Sequence, residues 1–129
     1  MPEYPIPNDV GQFIIVSIDS IAQLEALLLL RGSPNEEWSA HRVAKRLYIS
    51  EEETAHLLAR LRLEGLIALN NDKPPLYRYA PESDSLALIV DRLAETYSKH
   101  LVPVTNLVHS KPRSRVQEFA DAFKLRKDD

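Results

Sequence analysis

Between positions 39 and 67 the apolar residues recur with the spacing of two short helices. Val43, Ala44 and Leu47 line one face of the first, and Leu57, Leu58 and Leu61 line one face of the second. Ser50 stands where the second helix should begin, with Glu53 three residues on, the spacing of a capping box. Gly65 follows the last periodic position and suits a left-handed C′ residue, which lets Leu66 fold back on Leu61. Downstream, residues 66–69 and 76–79 read as two short strands around the turn chemistry of Asn70 to Pro75, where Pro74 and Pro75 block a longer ladder.

The same reading extends in both directions. Ser20 and Gln23 open a helix that runs to about Arg31 and is stopped by Gly32 and Pro34; its apolar positions Ile21, Leu24, Leu27, Leu28 and Leu30 bury most of its surface. Trp38, just before the N-cap Ser39, closes one edge of the core. Pro2, Pro5 and Pro7 forbid regular structure at the start, so residues 1–18 read as an N-terminal arm whose patch Phe13 to Val16 packs as an extended segment or joins a dimer contact. From Ser83 on, Leu86, Ile89, Val90, Leu93, Tyr97, Leu101 and Val104 recur at intervals of three and four, the mark of a long amphipathic helix that Pro103 should break between Lys99 and Val102. Ser114 caps a last helix carrying Val116, Phe119, Ala120 and Phe123. This pair of apolar helices has too little core of its own. It packs back onto the chain or, the reading preferred, forms a homodimer seam from Leu86, Ile89, Val90, Leu93, Tyr97, Leu101, Val104, Phe119 and Phe123.

Helix, tight turn, helix and β-hairpin together make a helix-turn-helix with a wing, a unit that points to nucleic acid. The expected fold is mainly α with a small β-wing: a winged helix-turn-helix domain over 19–81, flanked by the arm and by a C-terminal helical dimerisation arm over 82–129. A length of 129 residues with 44% apolar content suffices for one modest core.

Net charge is −3, which argues mildly against a nucleic-acid binder, but the charge is unevenly spread. Residues 1–38 set Arg31 against Glu3, Asp9, Asp19, Glu25, Glu36 and Glu37, and residues 80–129 balance. Residues 39–79 set seven cations (Arg42, Lys45, Arg46, Arg60, Arg62, Lys73, Arg78) against Glu51, Glu52, Glu53, Glu64 and Asp72, so the positive excess falls on the motif and the wing. A second cluster, Lys111, Arg113, Arg115, Lys124, Arg126 and Lys127, marks the tail, as a solubilising surface or an auxiliary contact.

Catalytic chemistry is not legible. His41, His56, His100 and His109 lack metal-site spacing, and there are no cysteines. Gly11, Gly32 and Gly65 belong to no phosphate loop, and the serines read better as caps than as nucleophiles. Neither a metal nor a cofactor is expected, and nothing points to an effector pocket. The run Leu27 to Leu30 is too short to span a bilayer, and MPEYPIPNDV lacks the basic start and apolar core of a signal peptide; a cytoplasmic protein without membrane attachment is the expectation.

Val43-Ala44-x-x-Leu47, Ile49-Ser50 and Leu58-x-x-Leu61-x-x-x-Gly65-Leu66-Ile67 resemble the winged helix-turn-helix regulators of bacteria, the broad group of MarR-like and PadR-like repressors. A domain followed by a helical dimer arm resembles the PadR arrangement more than the MarR one. The resemblance implies a homodimer on double-stranded operator DNA, with helix 50–64 in the major groove and wing 66–79 on the backbone. On that reading Ser39, Arg42, Lys45 and Arg46 reach phosphates from the first motif helix, Glu52, Glu53, His56 and Arg60 face base edges or phosphates, and Lys73 and Arg78 serve the wing. The turn Glu51-Glu52-Glu53 departs from the small polar or basic residues usual there. It favours the helix dipole by ~0.3–1 kcal/mol per carboxylate, and a glutamate can accept from cytosine N4, but it repels phosphate. That turn and the net charge support the alternative, a winged-helix module that binds protein rather than DNA.

Overall fold

The computed structural model describes residues 5–71 and 73–110; within them the chain runs α1 (Asn8–Ser17), α2 (Ile21–Gly32), α3 (Ala40–Leu47), α4 (Glu51–Leu63), β1 (Ile67–Asn70), β2 (Leu76–Tyr79) and α5 (Asp84–Lys99), followed by a helical segment over 101–110, α6. Four helices open on a serine whose Oγ accepts a backbone N–H three residues on: Ser20 from Gln23, Ser39 from Arg42, Ser50 from Glu53 and Ser83 from Leu86. In α2 the Gln23 side chain does not return to its own cap. Its Oε1 accepts from Asp19 N at 2.7 Å and its Nε2 donates to Ser17 O at 2.9 Å, so this buried glutamine builds the corner between α1 and α2.

α4 ends as expected. Gly65 adopts φ +77°, its N–H donates to Arg62 O at 3.0 Å and Leu66 N–H donates to Leu61 O at 3.1 Å, the paired bonds of a Schellman motif. The two strands are antiparallel, with Ile67 opposite Tyr79 and Asn70 opposite Leu76, one residue later in β1 than the apolar pattern indicates. Trp38 adds a bridge on the far edge of β2: Trp38 N–H donates to Tyr77 O at 2.7 Å and Tyr77 N–H to Trp38 O at 2.8 Å. The tryptophan therefore fastens the wing to the start of α3 as well as closing the core.

Residues 8–17 are a helix, not an extended arm. Ile6, Val10, Ile14 and Ile18 fall four apart, and all four are buried in the common core with Leu24, Leu27 and Leu30 of α2 and Leu58 and Leu61 of α4. Each such leucine contributes ~1.5–3 kcal/mol by leaving water. α1 packs on α5, and Arg92 Nε lies 2.8 Å from Asp9 Oδ2 across that contact, holding the Asp9 carboxyl below its usual range.

The expected break near Pro103 is present. α5 stops at Lys99, His100 leaves helical geometry (φ −134°, ψ 56°), and Val104 N–H donates back to His100 O at 3.1 Å. Pro103 thus sits in the first turn of α6, where its missing N–H costs nothing. The expected seam is corrected here. Val90, Leu93 and Val104 are fully enclosed by the chain's own core, Leu86, Ile89 and Tyr97 are half-buried against it, and of the described seam residues only Leu101 stands exposed. For the enclosed and half-buried residues the other reading, packing back onto the chain, is the one observed, with α1 in contact with α5. Phe119 and Phe123, the Ser114 cap and the basic tail lie outside the described residues. No single helix among those described is long and apolar enough to cross a membrane.

Candidate nucleic-acid interface

α3 and α4 are joined through a left-handed residue. Tyr48 caps α3 with φ 59° and ψ 43°, and both Tyr48 and Ile49 donate their N–H groups to Ala44 O. A residue other than glycine in this region costs roughly 1–2 kcal/mol, and here the strained residue is a tyrosine left 94% exposed. His41 Nδ1 and Glu51 Oε2, 2.8 Å apart, tie the starts of the two helices together. Thr54, fully buried, donates from Oγ1 to Ser50 O at 2.8 Å and fixes the first turn of α4.

Thr54, Leu57, Leu58 and Leu61 form the buried stripe of α4. At 100° per residue the opposite stripe holds Glu52, Ala55, His56, Ala59 and Leu63, all exposed. Glu52 and His56 are therefore outward, as expected. Glu53 lies toward the α1–α2 corner, in a shallow groove it shares with Asp19, Ser20 and Arg60.

Arg60 departs from its expected role as a base reader. Its Nη1 lies 3.0 Å from Asp19 Oδ2, its Nε 3.2 Å from Glu64 Oε2, and its Nη2 donates to Val16 O at 3.2 Å. Glu64 also accepts from Ser17 Oγ at 2.8 Å. With three protein partners drawing its guanidinium to the α1–α2 corner, Arg60 positions the helix rather than facing outward.

The cations divide into two sets. Among the described residues, Arg31, Arg42, Arg60, Arg92 and Lys99 are in ion pairs. Arg42 bonds Glu36 at 2.8 Å, holds that carboxyl below its usual range, and lies 3.8 Å above the Trp38 ring. Ser39, its hydroxyl oxygen accepting from Arg42 N–H, acts as a cap. Lys45, Arg46, Arg62, Lys73 and Arg78 are exposed and have no carboxylate partner among the described residues. All five lie on α3, α4 and the wing. Arg62 and Tyr48 were not singled out in the sequence. Arg62 belongs to no apolar stripe, and a tyrosine at a helix end gives no spacing signal. No group of three or more His, Cys, Asp or Glu gathers for a metal among the described residues.

No protein-family model matches the chain, and no curated protein sequence does. Solved structures do match. The chain is similar to Sco5413, a MarR family transcriptional regulator from Streptomyces coelicolor, at 19% identity and a TM-score of 0.57, covering 97% of this chain and 84% of that one. A MarR family protein from Bacillus stearothermophilus matches at 19% identity and TM-score 0.50, over 92% of this chain and 81% of its own. The F27L mutant of MepR from S. aureus, bound to an oligodeoxyribonucleotide, matches at 16% identity and TM-score 0.50, over 83% and 77%. The fold is that of the MarR regulators. At these identities the likeness is one of fold. The structures that the chain resembles are MarR family proteins, rather than the PadR arrangement that the tail suggests.

Proposed function

We propose that this chain is a DNA-binding transcriptional regulator that acts as a homodimer, with α4 in the major groove and the wing against the adjacent backbone. The observation that carries this reading is the partition of charge. Cations in ion pairs hold the fold together, whereas the five without one, of which Arg46 also lies 5.6 Å from the centre of the Trp38 ring, occupy the surfaces that flank an inserted helix in this motif. The MarR-like fold supports it, as does the oligodeoxyribonucleotide bound by the MepR mutant. Homodimer formation draws on Leu101 and Val102, which open α6 at 54% and 62% exposure in one chain.

A protein-binding reading rests on the acidic start of α4. Glu51 is engaged by His41, but Glu52 and Glu53 remain exposed carboxylates. Fluorescence anisotropy with mixed duplex fragments across a salt series separates the two. Placing the five cations of each protomer on phosphates gives a slope near roughly −4.5 per protomer, about −9 for the dimer, in log K against log salt between ~50 and 200 mM. Failure to bind duplex at the lowest salt would reject the DNA reading and favour a protein partner.

A further inference from the structure

The outward face of α4 has a chemistry that narrows what it can read. Ala59 presents its methyl group at the centre, Leu63 stands 83% exposed one turn beyond it, Glu52 offers an acceptor-only carboxylate near the start, His56 lies between them, and Ala55 lies toward one edge. Of the two arginines of the helix, Arg60 is drawn to the α1–α2 corner by Asp19, Glu64 and Val16 O, and Arg62 lies beside Ala55 at one edge of the face rather than at its centre. Bidentate recognition of guanine requires an arginine or lysine, and that of adenine an asparagine or glutamine; the centre of the face holds none of the four, and His56 there can make only a single ring-nitrogen contact. Small apolar groups in the major groove instead meet the C5-methyl of thymine, and a carboxylate accepts from the cytosine N4 amino group.

We propose that α4 selects its site chiefly through thymine methyl groups, packed against Ala55, Ala59 and Leu63, with Glu52 accepting from a neighbouring cytosine amino group, and without a bidentate guanine contact at the centre of the face. This rests on the DNA-binding reading above. Charge complementarity argues for duplex DNA as the occupant of this apolar stripe, because the unpaired cations Lys45, Arg46, Arg62, Lys73 and Arg78 lie on the elements around it. The apolar stripe supplies discrimination and the cations supply attraction.

The test uses the full chain to select duplexes from a randomised library, then resynthesises the selected site in two chemical forms. Deoxyuridine in place of thymidine removes only the methyl, and 7-deazaguanine in place of guanine removes only the N7 acceptor. The expected result is about four-fold weaker binding per contacted methyl removed, with a smaller loss on deazaguanine substitution. The variant Ala59→Asn should shift selection from thymine toward adenine at one position. Insensitivity to deoxyuridine together with loss on deazaguanine would overturn the proposal. Binding without any enriched sequence would overturn it too, while leaving DNA binding intact. No binding to any duplex at low salt would reject the underlying reading along with it and mark the stripe as a protein-docking surface.

Discussion

Arg60 of α4 and Asp19 of the α1–α2 corner meet at 3.0 Å, and this pair ties the helix proposed to enter DNA to that corner. Around it, Arg60 also bonds Glu64 and Val16 O, and Glu64 accepts from Ser17, so one guanidinium joins three segments. Arg60→Ala is expected to lower stability by ~1–2 kcal/mol, with an Arg60–Asp19 coupling of ~0.2–1 kcal/mol in a double-mutant cycle, because the pair is partly solvated. If Arg60 positions the helix, the variant weakens binding to selected and random duplexes by the same factor. Loss confined to the selected site would restore Arg60 as a base reader.

Arg42 and Lys45 lie three residues apart on α3 and are predicted to behave oppositely. Arg42 is held by Glu36 and stacked on Trp38, so Arg42→Ala should cost ~1 kcal/mol in urea denaturation and leave the salt dependence of DNA binding nearly unchanged. Lys45 has no carboxylate partner, so Lys45→Ala should shift stability by less than ~0.5 kcal/mol yet reduce the salt slope by about 0.9 per protomer. Matched slopes for the two variants would show that ion pairing in the free protein does not separate phosphate-binding cations from structural ones.

This contrast also marks what was legible in the sequence. Caps, turns and periodic stripes are local, so Ser20, Ser39, Ser50, Gly65 and the break before Pro103 could be read from spacing alone. The i, i+4 row Ile6, Val10, Ile14, Ile18 was present in the sequence as well, but the prolines beside it and the denser patch at 13–16 masked it. Without α1 as a partner, Val90, Leu93 and Val104 looked unsatisfied and were assigned to a second copy. Arg60 was misplaced for a related reason. Helical phase puts it at the edge of the outward face, and only the distant partners Asp19 and Val16 decide which way it turns. Residues whose role depends on contacts 40 or more positions away carry no local signature.

Gly65 tests the Schellman end of α4 and with it the approach of the wing. Its φ of +77° is poorly suited to side-chain-bearing residues, and a Cβ there would run into the Glu82 side chain. Gly65→Ala should destabilise by roughly 1–3 kcal/mol. Glu82 has a flexible side chain, so adding Glu82→Ala should recover the steric part and leave the backbone part of ~1–2 kcal/mol. Full recovery in the double variant, read as the urea midpoint, would show that backbone conformation contributes nothing measurable at this helix end.

Tyr97 supplies a prediction in alkaline solution. It was expected at a dimer seam, but its Oη donates to Glu25 Oε2 at 2.6 Å within one chain, joining α5 to α2. Burial, and then the Glu25 carboxylate that accepts its proton, push the Tyr97 pKa from 10.0 up to about 12. Between those values the folded chain holds a proton that the unfolded chain has released, so stability falls as pH rises. The contribution is fully present below pH 10 and is lost as pH passes through about 12. Tyr97→Phe removes the hydrogen bond, so it should be less stable than the parent near neutral pH by ~1 kcal/mol or more. It should also lose stability less steeply across the alkaline window, bringing the two urea midpoints together. Parallel loss in both proteins would show that Tyr97 ionises in the folded state as it does in the unfolded chain, and that the Glu25 bond does not hold its proton.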